Sequence, residues 1–249
     1  KVITGAKGAA TVFQDYQLLM VPKEAFFDKN ALKNWLAYMF KTTPFNHLII
    51  DTFTNGILGE LEYDIIPENR EVSYVGRRLR WDRYKQKTGL VDFNKAYIFE
   101  DLEVDHWGFL DSVTRKMVEA KLNYPMKPVV NPMIEKISKS GQPLWLIIHS
   151  EPKEELIELH EYALEVASLE KISPVLLIIS NCQLNDKDQT FCLSYFPAWN
   201  FYPFAQKIFT GCGFHAMHIP VPAHATHHFI PFDRKYDDQY WRASHLKNG

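Results

Sequence analysis

Cysteine is scarce in this chain of 249 residues: Cys182, Cys192 and Cys212 are an odd set with no metal-ligand spacing. Three such residues in a chain this long cannot form a disulfide framework and fit a reducing compartment, so a cytoplasmic protein is expected. No run approaches the roughly 20 consecutive apolar residues of a transmembrane helix, and no signal peptide is visible. Charge of one sign is missing too. The net charge is −2 and the pI is near 6.6, whereas a nucleic-acid binder usually shows a strongly basic face. No nucleic-acid partner is expected. There is no internal repeat and no low-complexity tract.

What is present is an ordinary soluble composition, 46% apolar and 23% charged, long enough for one large core or two modest ones. In the first half, short strands are predicted at Val2–Ala6 and Gln17–Val21. A helix capped by Asp28 follows, with Leu32, Trp35, Leu36 and Met39 on one face. His47–Ile50 reads as a buried-type strand with Asp51 at its carboxyl end. Glu71–Val75 and Ala96–Phe99 are further strands, and Phe109–Leu122 reads as helical. Three prolines, Pro125, Pro128 and Pro132, then mark a linker. The pattern restarts with strands at Leu144–Ile148 and Val175–Ile179, separated by an amphipathic helix over Pro152–Leu169. A polar turn is expected over Asn181–Gln189 and a strand over Phe191–Phe196. Alternating strands and helices, with continuous apolar strands, predict an α/β protein whose parallel sheets are flanked by helices. The expected division is two Rossmann-like domains, 1–124 and 143–249, joined by the linker 125–142.

The stretch Lys207–Ala243 organises the rest. An apolar strand enters the turn Gly211-Cys212-Gly213 and a short helix. A second apolar strand ends at Ile230, and a polar loop from Pro231 carries Asp237, Asp238 and Gln239 into the first turn of the last helix. Two helix starts in one crevice would suit a diphosphate. Gly211 and Gly213, lacking Cβ atoms, would let the backbone approach a phosphate, or would form a plain strand-to-helix turn. Asp237, Asp238 and Gln239 would grip sugar hydroxyls, or Asp237 would cap the helix, or both.

Pro231-Phe232, Lys235, Gln239-Tyr240-Trp241 and Ala243 resemble the carboxy-terminal nucleotide-sugar motif of MurG-like glycosyltransferases. Thr210-Gly211-Cys212-Gly213-Phe214-His215 is similar to the preceding loop of those enzymes and of a related bacterial group. Asp51-Thr52-Phe53 through Gly56-Ile57-Leu58-Gly59-Glu60-Leu61 resembles a stretch of that related group, and Val75-Gly76-Arg77 with Trp81-Asp82-Arg83-Tyr84 continues the likeness. The resemblance implies the two-domain GT-B architecture, with a donor nucleotide sugar on the carboxy-terminal half and the acceptor on the other. It also implies one more strand and a glycine-rich loop before Lys1, and a helix after Gly249. It places donor contacts at Gly211, Gly213, Phe214, His215, Phe232, Lys235, Asp237, Asp238 and Gln239. The chain departs from the pattern in three places. No acid lies between Gly213 and Pro231, where the family carries a Glu expected to hold ribose hydroxyls. The family's Asn is His215, and the first of its paired Gln is Asp238.

Asp51 and Glu60 are the candidates for a general base, against capping or a solvated charge. Arg77, Arg78, Arg80 and Arg83 would clamp a diphosphate or an acidic acceptor, touch anionic lipid at a membrane surface, or form a solvated basic face. Phe196, Trp199, Phe201, Tyr202 and Phe204 would stack a base or seal a core edge. His215, His218, His224, His227 and His228 are dense, but no carboxylate or Cys pattern completes a metal site, so none is expected. His149-Ser150 stands without any sign of a triad. The function implied is transfer of a sugar from a nucleotide-diphosphate sugar, UDP-linked, to a glycan, lipid or small-molecule acceptor, without a cofactor. Alternatives are a glycosyltransferase-like binding protein without turnover, and a nucleotide-sugar epimerase or hydrolase on the same fold.

Overall fold

The computed structural model describes residues 1–6, 9–89, 91–127, 129, 132–150, 152–182, 184 and 189–245. The chain forms two compact units. The first is Lys1–Leu122 with Lys235–Asp238, and the second is Asn123–Arg234 with Gln239–Gly249.

The first unit opens with strand β1 (Val2–Thr4), helix α1 (Ala9–Val12) and strand β2 (Leu18–Met20), and β1 pairs with β2 in parallel. Helix α2 (Lys29–Thr42) starts where Asp28 accepts hydrogen bonds from the backbone of Asn30 and Ala31. That cap satisfies two of the N–H groups a helix start leaves open. Leu32, Leu36 and Phe40, spaced by four, form its buried stripe and pack on Ala25. The main sheet follows, with β3 (His47–Asp51), β4 (Glu71–Gly76), β5 (Lys95–Ile98) and β6 (Met117–Glu119), all parallel and in that order. Short helix α3 (Trp81–Tyr84) lies between β4 and β5, and α4 (Val104–Val113) between β5 and β6. Their core is built on Tyr74, Phe93, Ala96, Ile98 and Leu110.

Two expectations change here. His47–Ile50 is not a buried strand: among the described residues β3 pairs only with β4, Ile49 is 60% exposed, and Ile50 alone of the strand is buried. The helix read over Phe109–Leu122 runs instead from Val104 to Val113. Thr114 then turns to extended backbone, and Met117–Glu119 joins β5 as a strand. Residues 235–238 complete this unit. Asp237 forms an antiparallel bridge with Leu79, the Arg80 N–H donates to the Tyr236 carbonyl at 2.7 Å, and the Tyr236 ring packs on Phe53 and Tyr84.

The second unit contains α5 (Pro132–Ser140), β7 (Leu144–Ile148), α6 (Lys153–Glu170), β8 (Val175–Ile179) and β9 (Thr190–Leu193). It continues through β10 (Lys207–Gly211), α7 (Phe214–His218), β11 (Thr226–Ile230) and α8 (Gln239–His245). Its five strands are all parallel, in the order β11-β10-β7-β8-β9. Strand alternation divides one apolar run between two cores. Leu144 and Leu146 face a cluster with Phe201, Tyr202 and Ile208, while Trp145 and Ile147 face Leu156, Leu159 and Ala163 of α6. Burial of both faces is why the run reads as continuously apolar.

The span read as linker, 125–142, carries α5. Its first residue is Pro132, a residue well suited to a helix start, and its Ile134 and Ile137 are buried in the first of these two clusters. Residues 128, 130 and 131 of that span lie outside the described residues. So do 183 and 185–188 of the polar turn expected over Asn181–Gln189. From β7 the chain builds β8 and β9 on one side, then returns to place β10 and β11 on the other. The strand order therefore reverses between β7 and β10. In open parallel sheets, ligands bind beyond the carboxyl ends of the strands at such a reversal.

Candidate functional site

At the carboxyl end of β10, the turn Gly211-Cys212-Gly213 sits on one side of this crevice. Its two glycines have different reasons to be glycine. A Cβ on Gly211 would stand 3.1 Å from the Phe232 ring, whereas one on Gly213 would meet nothing within 4 Å. Gly211 serves packing, and Gly213 leaves open space. The side-chain carbonyl of buried Gln239 accepts hydrogen bonds from the Cys212 N–H at 3.1 Å and the Phe232 N–H at 3.0 Å. Fully buried Arg242 reaches the Cys212 carbonyl at 3.4 Å and lies over the Phe214 ring. Phe214 and Phe232, read as donor contacts, are both buried. His215 is exposed, with Nδ1 3.0 Å from the Tyr124 hydroxyl. Helices α7 and α8 have five and seven residues, so their dipoles supply little of the anion affinity expected of two helix starts.

The opposite side of the crevice is the end of β7. His149 follows that strand directly and still donates its N–H to the Ile179 carbonyl of β8. Its Nε2 lies 3.0 Å from Oε2 of Glu155 in the first turn of α6, and the two side chains are only 10% and 14% exposed. Arg234, after β11, forks onto both oxygens of Glu155. The His149 ring packs against Phe232 with centroids 5.5 Å apart. Ser180 and Cys182, after β8, both donate to the Ser150 carbonyl at 3.5 Å. In sequence, only the His149-Ser150 pair stands out here. The available signal was an apolar strand ending on a histidine, with a Glu in the next helix's first turn. Nothing local in sequence ties Arg234 to them.

The first unit carries its own polar cluster at the carboxyl ends of β3 and β4. Asp51 ends β3 with its side chain 63% exposed. It accepts from the Thr52 hydroxyl at 2.9 Å and from Arg77 at 3.0 Å. Thr52 has φ +69°, a left-handed conformation costly for a β-branched residue. Four contacts hold it there. Its N–H donates to Val75, its carbonyl accepts from the Tyr74 hydroxyl at 2.6 Å, and its hydroxyl accepts from Arg77 at 2.7 Å while donating to Asp51. Burial raises the Tyr74 phenol well above its usual range. Behind it, fully buried His106 stacks on Trp81 at 4.0 Å, and burial, then the Arg78 charge, lower its pKa to about 3.

Glu60, the other carboxylate candidate, is buried within its own loop and accepts from the Leu58 N–H at 2.8 Å. Its surroundings explain it as a loop brace. Asp238 pairs with Arg78 at 3.2 Å, and Arg78 also reaches the Asp101 carbonyl. Lys235 lies over the Tyr236 ring. Lys235, Asp237 and Asp238 thus belong to the first unit and Gln239 to the second, and Asp237 and Asp238 precede α8 rather than forming its first turn with Gln239. Of the aromatic run, Phe201 and Tyr202 are core residues. His227 bonds Thr210 at 2.8 Å and His228 stacks on Phe209, both inside the sheet. Burial, and next the His228 charge, lower the His227 pKa to about 4.

Among the described residues, no three His, Cys, Asp or Glu side chains gather as metal ligands, and no helix is long and apolar enough to cross a membrane. Comparison with models of known protein families, with curated proteins and with solved structures finds no match for this chain.

Proposed function

We propose that this chain binds a nucleotide-diphosphate sugar, UDP-linked, in the crevice of its second unit, and acts as a GT-B-type glycosyltransferase. One observation carries the reading: the strand order reverses between β7 and β10, and Gly213, with open space where a side chain would be, lies at that point. The resemblance of the Gly211–His215 and Pro231–Ala243 segments to nucleotide-sugar motifs supports it. In the transfer, the bond from the anomeric carbon to the diphosphate breaks and an acceptor oxygen bonds that carbon. The acceptor proton passes to a base, and the nucleoside diphosphate leaves.

A second reading, ligand binding without turnover, is favoured by one fact: Gln239 and Asp238 are already engaged in holding the fold.

A thermal-shift titration with UDP, UDP-GlcNAc, GDP and dTDP tests the site, because a ligand bound only by the folded state raises the melting temperature. UDP or its sugar is expected to raise it in the wild type and not in Gly213→Val. If none of the four does so at millimolar concentration, the donor-site reading fails. UDP release from UDP-GlcNAc with added acceptors separates transfer from binding alone.

A further inference from the structure

We infer that His149 is a ligand-contacting proton donor of the second unit's crevice, and that Glu155 and Arg234 are positioning residues that hold it there. The inference rests on the donor-site reading for its ligand class, a diphosphate.

Three separate elements fix one histidine at the point where the strand order reverses. Its backbone is bonded to β8, its Nε2 lies 3.0 Å from the Glu155 carboxylate of α6 without an aligned hydrogen bond to it, and its ring lies on Phe232 after β11. Glu155 is itself locked by the fork of Arg234. A carboxylate gripped at both oxygens stays beside the imidazole. That is the arrangement in which a base is oriented by a third group. The nearly buried His149 and Glu155 are expensive to desolvate, and a fold alone could replace such a pair with apolar side chains at little loss. Of the elements packed against His149, α6 contributes Glu155, with Lys153 and Glu154 in the same turn. The loop after β11 contributes Arg234, with Asp233 beside it. The adjoining strand ends contribute Ile179, Ser180, Gly211 and Cys212. Arg234 offsets the charge of Glu155, so an arriving diphosphate is the added negative charge that favours the imidazolium form. Binding therefore favours proton uptake by the ring, which shares the proton with a phosphate oxygen.

The test is an NMR pH titration of the His149 ring in the wild-type full chain, alone, with UDP and with inorganic pyrophosphate. Either ligand is expected to raise the His149 midpoint by about one unit, equivalent to about tenfold tighter binding to the protonated form. His149→Asn should bind UDP with an affinity that no longer falls with rising pH, and Glu155→Gln should lose most of the ligand-induced rise. If UDP raises the melting temperature while the midpoint stays fixed, the inference about His149 is overturned and the donor site stands. If pyrophosphate moves the midpoint but no nucleotide stabilises the chain, the inference stands and the nucleotide-sugar reading falls. If neither probe moves the midpoint, His149 is not a diphosphate contact.

Discussion

The side-chain carbonyl of Gln239 sits 3.1 Å from the backbone nitrogen of Cys212 and takes its hydrogen bond, while also serving Phe232 at 3.0 Å. One amide thereby ties the ends of β10 and β11 together. Gln239→Leu leaves two buried N–H groups without an acceptor, at about 1–3 kcal/mol for each. Urea unfolding should show the loss, and Gln239→Glu, which keeps an acceptor, should lose less.

Glycines at two turns separate structural from ligand-facing need. Gly56 has φ +77°, and a Cβ there would stand 2.1 Å from the buried Glu60 carboxylate. Gly56→Ala should cost at least about 1–2 kcal/mol from the backbone alone. Gly213→Ala, with ordinary φ and open space, should change stability by less than about 0.5 kcal/mol. Denaturant midpoints of the two variants check the contrast.

Asp238→Ala is expected to destabilise the first unit even without ligand. It removes one carboxylate partner of Arg78, whose side chain is largely buried after β4. A hydrogen bond to a charged group contributes about 1.5–3 kcal/mol. If the melting temperature of Asp238→Ala without ligand equals that of wild type, Asp238 is not a brace, and a direct ligand role regains its weight.

Acid should weaken the protein below neutrality. His106 titrates near 3 in the folded state and near 6.5 when unfolded, so the unfolded chain binds the extra proton between those values. The stability it contributes is complete above about pH 6.5 and is lost progressively as pH falls toward 3. His227, near 4, acts in the same direction in the second unit. Urea unfolding at pH 7, 6 and 5 should show a slope, and His106→Phe, which keeps a ring on Trp81, should flatten it.

Sequence periodicity was enough for the elements with long apolar patterns. Helix α2 with its Asp28 cap, the five-residue strands β7 and β8, and the glycine turn after β10 all lie where the residues indicate. Short elements escaped. Three residues of β6 hold too little alternation to be distinguished from the end of a helix, and the prolines near α5 read as a break although Pro132 starts the helix. Strand order was not legible either, because nothing in the residues of β10 says that it pairs with β7. The Arg234–Glu155–His149 contact was hidden for the same reason: it joins residues that only sheet topology brings together. Gln239 was noticed, but its role depends on two backbone N–H groups that no side-chain pattern records.

Residues 235–238 count with the first unit although they follow nearly all of the second in the chain. During synthesis on the ribosome, at about 5–20 residues per second, the amino-terminal core must wait for Tyr236 to cover Phe53 and Tyr84, and for Asp238 to meet Arg78. A fragment cut after Leu122 would leave the ribosome with those places unfilled, so expression of either unit alone calls for a graft of this segment rather than a simple truncation.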